Sequence, residues 1–106
     1  MNVWMRDPRV EQAEVDAFEA ERAERRGDLA VARSRHHAAA DAFAAVAFGV
    51  PAAYPNTRSD LAIAAIASYA RAGDFGRATE LSRRVLAESD ALTEHGRTEL
   101  MRLMRE

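Results

Sequence analysis

A short phrase occurs twice in this chain and leaves little freedom in the fold. Gly27-Asp28-Leu29 is followed by Ala32, and Gly73-Asp74-Phe75 is followed by Ala78. Glycine tolerates the left-handed backbone on which helices end, and a carboxylate just after it can accept from the amides that open the next helix. Each phrase therefore reads as one helix stopping and another starting. The apolar residue after Asp is expected to fill the hairpin mouth, and the Ala further on to let two helices cross closely. A chain with two such joints is a set of antiparallel helical hairpins.

The periodicity on either side agrees. Asp7 caps the first helix and Pro8 suits its first position, where no N–H is needed. Val10, Ala13, Ala17 and Ala20 recur at helical spacing, with Val15 and Phe18 on a flank and Glu11, Glu19, Arg22 and Arg26 opposite. In the second helix Leu29, Ala32, His36, Ala39, Phe43 and Val46 form one face, widened by Ala40, Ala44 and Ala47, up to about Phe48. The first hairpin thus covers 7–48. The stretch 49–58, with Pro51, Tyr54, Pro55 and Asn56, reads as a loop, with Tyr54 packed on the hairpin and its hydroxyl at the surface. Ser59 or Asp60 is expected to open a third helix with Leu61, Ala62, Ala65, Ile66 and Tyr69 inside and Ile63 on the far side. Asp74 caps a fourth, lined by Phe75, Ala78, Leu81, Val85 and Leu86, completing a second hairpin over 59–89. A fifth helix is expected over 92–105, with Leu100, Leu103 and Met104 on one face.

Composition narrows the function. The 106 residues suffice for one helical domain, and 24 of them are Ala, the best helix former. The net charge of −2 gives no field to draw nucleic acid. All 15 basic residues are Arg, which with the Ala excess looks like the coding habit of a high-GC bacterium. Acidic residues interleave with them throughout, which argues against a polyanion site. The absence of Cys excludes disulfides, thiolate metal sites and Cys nucleophiles. The first residues carry no basic-then-apolar leader pattern, and Ala38 to Val50 is too short to cross a bilayer, so a cytoplasmic location is expected.

Catalytic patterns are not found. Glu14, Glu19, Glu21 and Glu24 crowd helix 1, but Arg22, Arg25 and Arg26 interleave at helical spacing, as on a salt-bridged solvated face. No nucleophile triad, phosphate-cradling loop or zinc motif occurs. His36-His37 with Asp41 is the one constellation with metal-ligand character, because His37 and Asp41 lie one turn apart. His36 falls on the apolar face, so a core or rim histidine is the plainer reading. No cofactor and no enzymatic activity are expected.

The second half, Leu61-Ala62-x2-Ala65-Ile66-x2-Tyr69-x3-Gly73-Asp74-Phe75-x2-Ala78-x6-Val85-Leu86, resembles one tetratricopeptide repeat. The first half resembles it through Ala20, Gly27, Asp28, Leu29 and Ala32. The family's early aromatic in helix A stands here as Ala62, its mid-helix B aromatic as Ser82, and the Tyr of the first half as Ala23. The resemblance implies an all-α, right-handed stack of about five helices, with 92–105 as a capping helix. It also implies a non-catalytic adaptor or scaffold that binds another protein on the first helix of each hairpin. The matching positions are Glu14, Ala17, Glu21, Glu24 and Arg25, then Asp60, Ile63, Ala67, Ala70 and Arg71. Charge reversal at Glu21 and Glu24 is expected to abolish such binding. A homodimer built on Trp4, Met5 and the Ala-rich end of helix 2 is the alternative, and a small metal- or ligand-binding bundle at His36, His37 and Asp41 a third.

Overall fold

The computed structural model describes residues 7–51, 53–87, 98–99 and 101–102. The fold is all-α: four helices, α1 (Pro8–Arg25), α2 (Leu29–Gly49), α3 (Pro55–Arg71) and α4 (Phe75–Ala87), with no strand among the described residues. Of the fifth helix expected over 92–105, only Thr98, Glu99, Met101 and Arg102 are described, and their backbone is helical; the remainder, like Trp4 and Met5, lies outside the described residues. Each helix packs on the next in sequence, so α2 is covered by α1 on one side and α3 on the other.

The repeated phrase folds into the same joint twice. Gly27 and Gly73 have φ of +78° and +81°. At the first, the Asp28 amide donates to Ala23 O (2.9 Å) and the Gly27 amide to Glu24 O (3.0 Å). At the second, the Asp74 amide donates to Tyr69 O (2.9 Å) and the Gly73 amide to Ala70 O (3.0 Å). This is the paired bonding of a Schellman motif. The carboxylate then turns forward: Asp28 accepts from the Val31 amide and Asp74 from the Arg77 amide. Asp7 does the same for α1 through the Arg9 amide.

Three expectations are corrected. Leu29 and Phe75 do not fill the hairpin mouths but are 58% and 66% exposed. They occupy the first position of their helices, ahead of the turn that meets the neighbouring helix. α3 begins at Pro55, not at Ser59 or Asp60, so the loop shortens to the residues between Gly49 and Pro55. Proline at the first helical position has its φ already set and no amide to satisfy, and Tyr54 before it stays outside the helical region, with φ −117° and ψ 65°, as a following proline favours. Tyr54 itself is exposed rather than packed on the hairpin.

The core joins Val10 and Ala13 of α1, Ala39, Ala40, Phe43, Val46 and Ala47 of α2, Leu61, Ala65, Ile66 and Tyr69 of α3, and Ala78, Leu81 and Val85 of α4. Ala17, expected in the α1 face, packs against it half-buried, while Val15 and Phe18 stay exposed on the flank. Asp16 is buried where no charge is expected; it accepts from Arg35 of α2 (2.9 Å) and from Gln12 (3.4 Å).

Gly27→Ala is predicted to lower stability by about 1–2 kcal/mol, because a Cβ meets no neighbour there and the cost is the positive φ alone. Gly49→Ala, equally unobstructed but without a positive φ, should be neutral or stabilising by up to about 1 kcal/mol. Thermal unfolding of the two variants against the parent checks the pair.

Candidate functional site

α1 and α3 both run antiparallel to α2, α1 through the Gly27 joint and α3 through the loop after Gly49. The clearest link between them is Arg71 of α3 donating to Glu21 of α1 at 3.3 Å. Two of the expected contact residues, one from each hairpin, therefore meet. Around them Ala17, Ile63, Ala67 and Ala70 are half-buried, and Glu14, Arg25 and Asp60 are exposed. The resulting strip has small side chains along its middle and charges on its margins.

Glu24 stands close enough to Arg71 for their charges to interact. Its carboxylate turns to α2 and accepts from His36 Nε2 at 2.5 Å. His36 is buried, and its Nδ1 has no hydrogen-bond partner among the described residues. The hydrogen bond from His36 holds the Glu24 carboxyl below the usual glutamate range, against a smaller opposing effect of desolvation. Glu24 thus serves the fold, as the partner of a core histidine.

A second polar group lies on the opposite side of α2. His37 Nε2 is 3.1 Å from Asp74 of the α3–α4 joint, and Nδ1 is 3.4 Å from Asp41 one turn along α2. The His37 ring meets Tyr69 of α3 edge to face, with centroids 5.4 Å apart. The Tyr69 hydroxyl donates to Asp41 Oδ1 at 2.5 Å, and Arg77 of α4 approaches both Asp41 (3.6 Å) and Asp74 (3.3 Å). Burial, together with the Asp41 carboxylate, pushes the Tyr69 phenol up to about 12. Asp74 is held below the ordinary aspartate range, first by the Arg77 amide and then by the His37 and Arg77 side chains. Asp41 Oδ1 accepts from Tyr69, whose raised pKa fixes it as a neutral donor. The arrangement braces α2, α3 and α4.

The three residues weighed as metal ligands are not brought together. Successive residues on a helix point about 100° apart, so His36 faces α1 while His37 and Asp41 face the α3–α4 joint. Among the described residues no group of three or more His, Asp or Glu side chains is arranged to hold a metal ion. The brace itself went unread in the sequence. Tyr69 appears there as a core residue and Asp74 as a cap. Each reading is correct locally, and none carries a signal of the long-range pairing.

Compared with known proteins, the chain matches no family model, no curated protein and no solved structure. No helix among the described residues is long and apolar enough to cross a membrane.

Two predictions test these pairs. Glu24 has a depressed folded-state pKa, so its contribution is present above the ordinary glutamate value of 4.5 and is lost as pH falls through the lower folded value. Glu24→Gln should therefore be less stable than the parent near pH 7, and urea unfolding should show the difference shrinking toward acid. Tyr69 has a raised pKa, so its contribution is present below the ordinary value of 10.0 and fades as pH rises toward about 12. In Tyr69→Phe that alkaline loss should disappear, as followed by the phenolate absorbance and by unfolding at high pH.

Proposed function

We propose that this chain is a non-catalytic interaction module, an adaptor or scaffold of the bacterial cytoplasm, that holds a peptide or helix from another protein on the joint α1–α3 strip. The observation that carries the reading is the Glu21–Arg71 pair, which joins the first helices of the two hairpins at 3.3 Å. Two identical glycine joints support a repeat architecture, and with it the tetratricopeptide-like mode of binding that the sequence resemblance implies. Ala17, Ala67 and Ala70 leave room for a partner backbone, Ile63 offers apolar contact, and Glu14 and Asp60 favour a basic segment. Glu21 and Glu24 make poor test positions, since one closes the strip and the other holds His36.

A second reading, a self-assembling homodimer, rests on Val15 and Phe18, both more than half exposed on α1, and on the exposed Ala38 and Ala45 of α2. Light scattering separates the two. A dimer that Phe18→Glu dissociates favours self-assembly.

The adaptor reading is tested by capture from the source organism's lysate with the parent and with Glu14→Arg/Asp60→Arg. The expected result is a protein recovered by the parent and lost at least tenfold with the variant, whose helix content is unchanged. Equal recovery with both removes the α1–α3 strip as the site.

A further inference from the structure

The outer face of α1 carries a stripe that complements itself when reversed. Glu11, Val15, Phe18 and Arg22 are all exposed, the two apolar members by more than half. At about 100° per residue the four fall within about 60° of one another. They lie opposite the buried Val10, Ala13, Ala20 and Ala23. The intervals along the stripe are four, three and four residues, the spacing of a coiled-coil seam, and they are symmetric about the midpoint between Asp16 and Ala17.

Reversal therefore sets Val15 against Phe18 and Glu11 against Arg22. An apolar centre then has an opposite-charge pair on either side. Single exposed apolar residues are ordinary on a protein surface. What selects an occupant here is that acid and base stand at mirror-related places around them. A parallel copy would instead oppose Glu11 to Glu11 and Arg22 to Arg22, which is repulsive.

Arg22 is lightly held within its own chain. It reaches Glu19 only at 4.0 Å, between exposed side chains, and its guanidinium carbon stands 6.0 Å from the Phe18 centroid. Exposed contacts of this kind are worth little and are readily exchanged for a partner. On the margin of the stripe, pairing brings Glu14 toward Glu21 of the partner subunit. Glu21 is already paired with Arg71, which reduces that repulsion.

We propose that a second copy of this chain docks on α1, the two helices antiparallel about a two-fold axis level with the Asp16–Ala17 bond. Val15 then packs on Phe18 of the partner subunit, and Glu11 pairs with Arg22 of the partner subunit. The proposal rests on the self-assembly reading and supplies its geometry. Ala17 lies about 130° round α1 from the middle of the stripe, so the dimer leaves the α1–α3 strip open. The contact is a single helix pair, small for a permanent dimer, and a dissociation constant on the order of 100 µM is expected.

Sedimentation equilibrium of the full chain across the micromolar to millimolar range tests the pairing. The parent is expected to dimerise. Glu11→Arg and Arg22→Glu should each weaken the dimer about tenfold, because each turns both ion pairs into like-charge contacts. An equimolar mixture of the two variants should recover it as a heterodimer, in which opposite charges again face each other. Each variant also disfavours its own helix end. The mixture keeps those defects, so recovery reports pairing across the axis. Phe18→Gln, which alters no charge, should weaken the dimer at least as much, and circular dichroism checks that helix content is kept. A parent that stays monomeric into the millimolar range overturns the pairing and the self-assembly reading together. A parent dimer that neither charge variant weakens, or a mixture no tighter than its components, overturns the α1 pairing and leaves self-assembly to another face. Neither result bears on capture of a partner by the α1–α3 strip.

Discussion

How closely α2 can be approached governs everything else in this molecule. It is the helix covered on both sides, and four of its buried residues, Ala32, Ala39, Ala40 and Ala47, are alanines. Small side chains let α1 and α3 come near, which brings backbone and side-chain atoms into dispersion contact. They also bury little apolar area each, so the hydrophobic gain per residue is small compared with a Leu or Phe core. Larger groups enter between them, among them Phe43 and Val46 from α2, Leu61, Ile66 and Tyr69 from α3 and Leu81 and Val85 from α4.

That economy explains the weight of polar ties between the helices. Asp16 with Arg35 and Glu24 with His36 fasten α1 to α2; Asp41 with Tyr69 and His37 with Asp74 fasten α2 to the second hairpin. The adjacent histidines divide the task because one step along a helix turns the side chain by about 100°. His36 enters the first hairpin and His37 leaves toward the second. A pair that looks like a metal motif in the sequence is in the fold two separate fasteners, each matched to carboxylates from different elements. Where one partner is a buried group, its removal costs more than the bond is worth, because the remaining polar atom loses water as well.

The features legible in the sequence are those decided within one turn of the chain. The amides of Gly27 and Gly73 donate to carbonyls three residues back, and Asp7, Asp28 and Asp74 accept from amides two or three residues on, so all five do what their types imply. The inward faces of α2 and α3 follow from the 3.6-residue period with the exception of Leu29, which lies at the helix start where no neighbour covers it. Pro55 was legible by the rule that reads Pro8, but two prolines in a short stretch point equally to a loop. Asp16, Tyr69 and Arg77 were not legible, because their partners lie 19, 28 and up to 36 residues away, a separation at which periodicity carries no information. The α1–α3 strip is intermediate. The repeat resemblance proposes it, and the meeting of Glu21 with Arg71 is a matter of packing.

The two joints are alike in backbone and differ in what their aspartates do. Asp28 caps α2, its side chain accepting from the Val31 amide. Asp74 caps α4 and in addition accepts from His37, so the second joint is tied back onto α2. The tie has a geometric consequence. α4 packs on α3, and among its links to α2 are the brace at Asp74 and Arg77 and the contact of Arg84 with Phe48. Those links hold α4 against α2 at two places, one at the joint and one about two turns further along α4. A duplicated turn has thereby acquired a second use for one of its residues, with no change in the backbone it encodes.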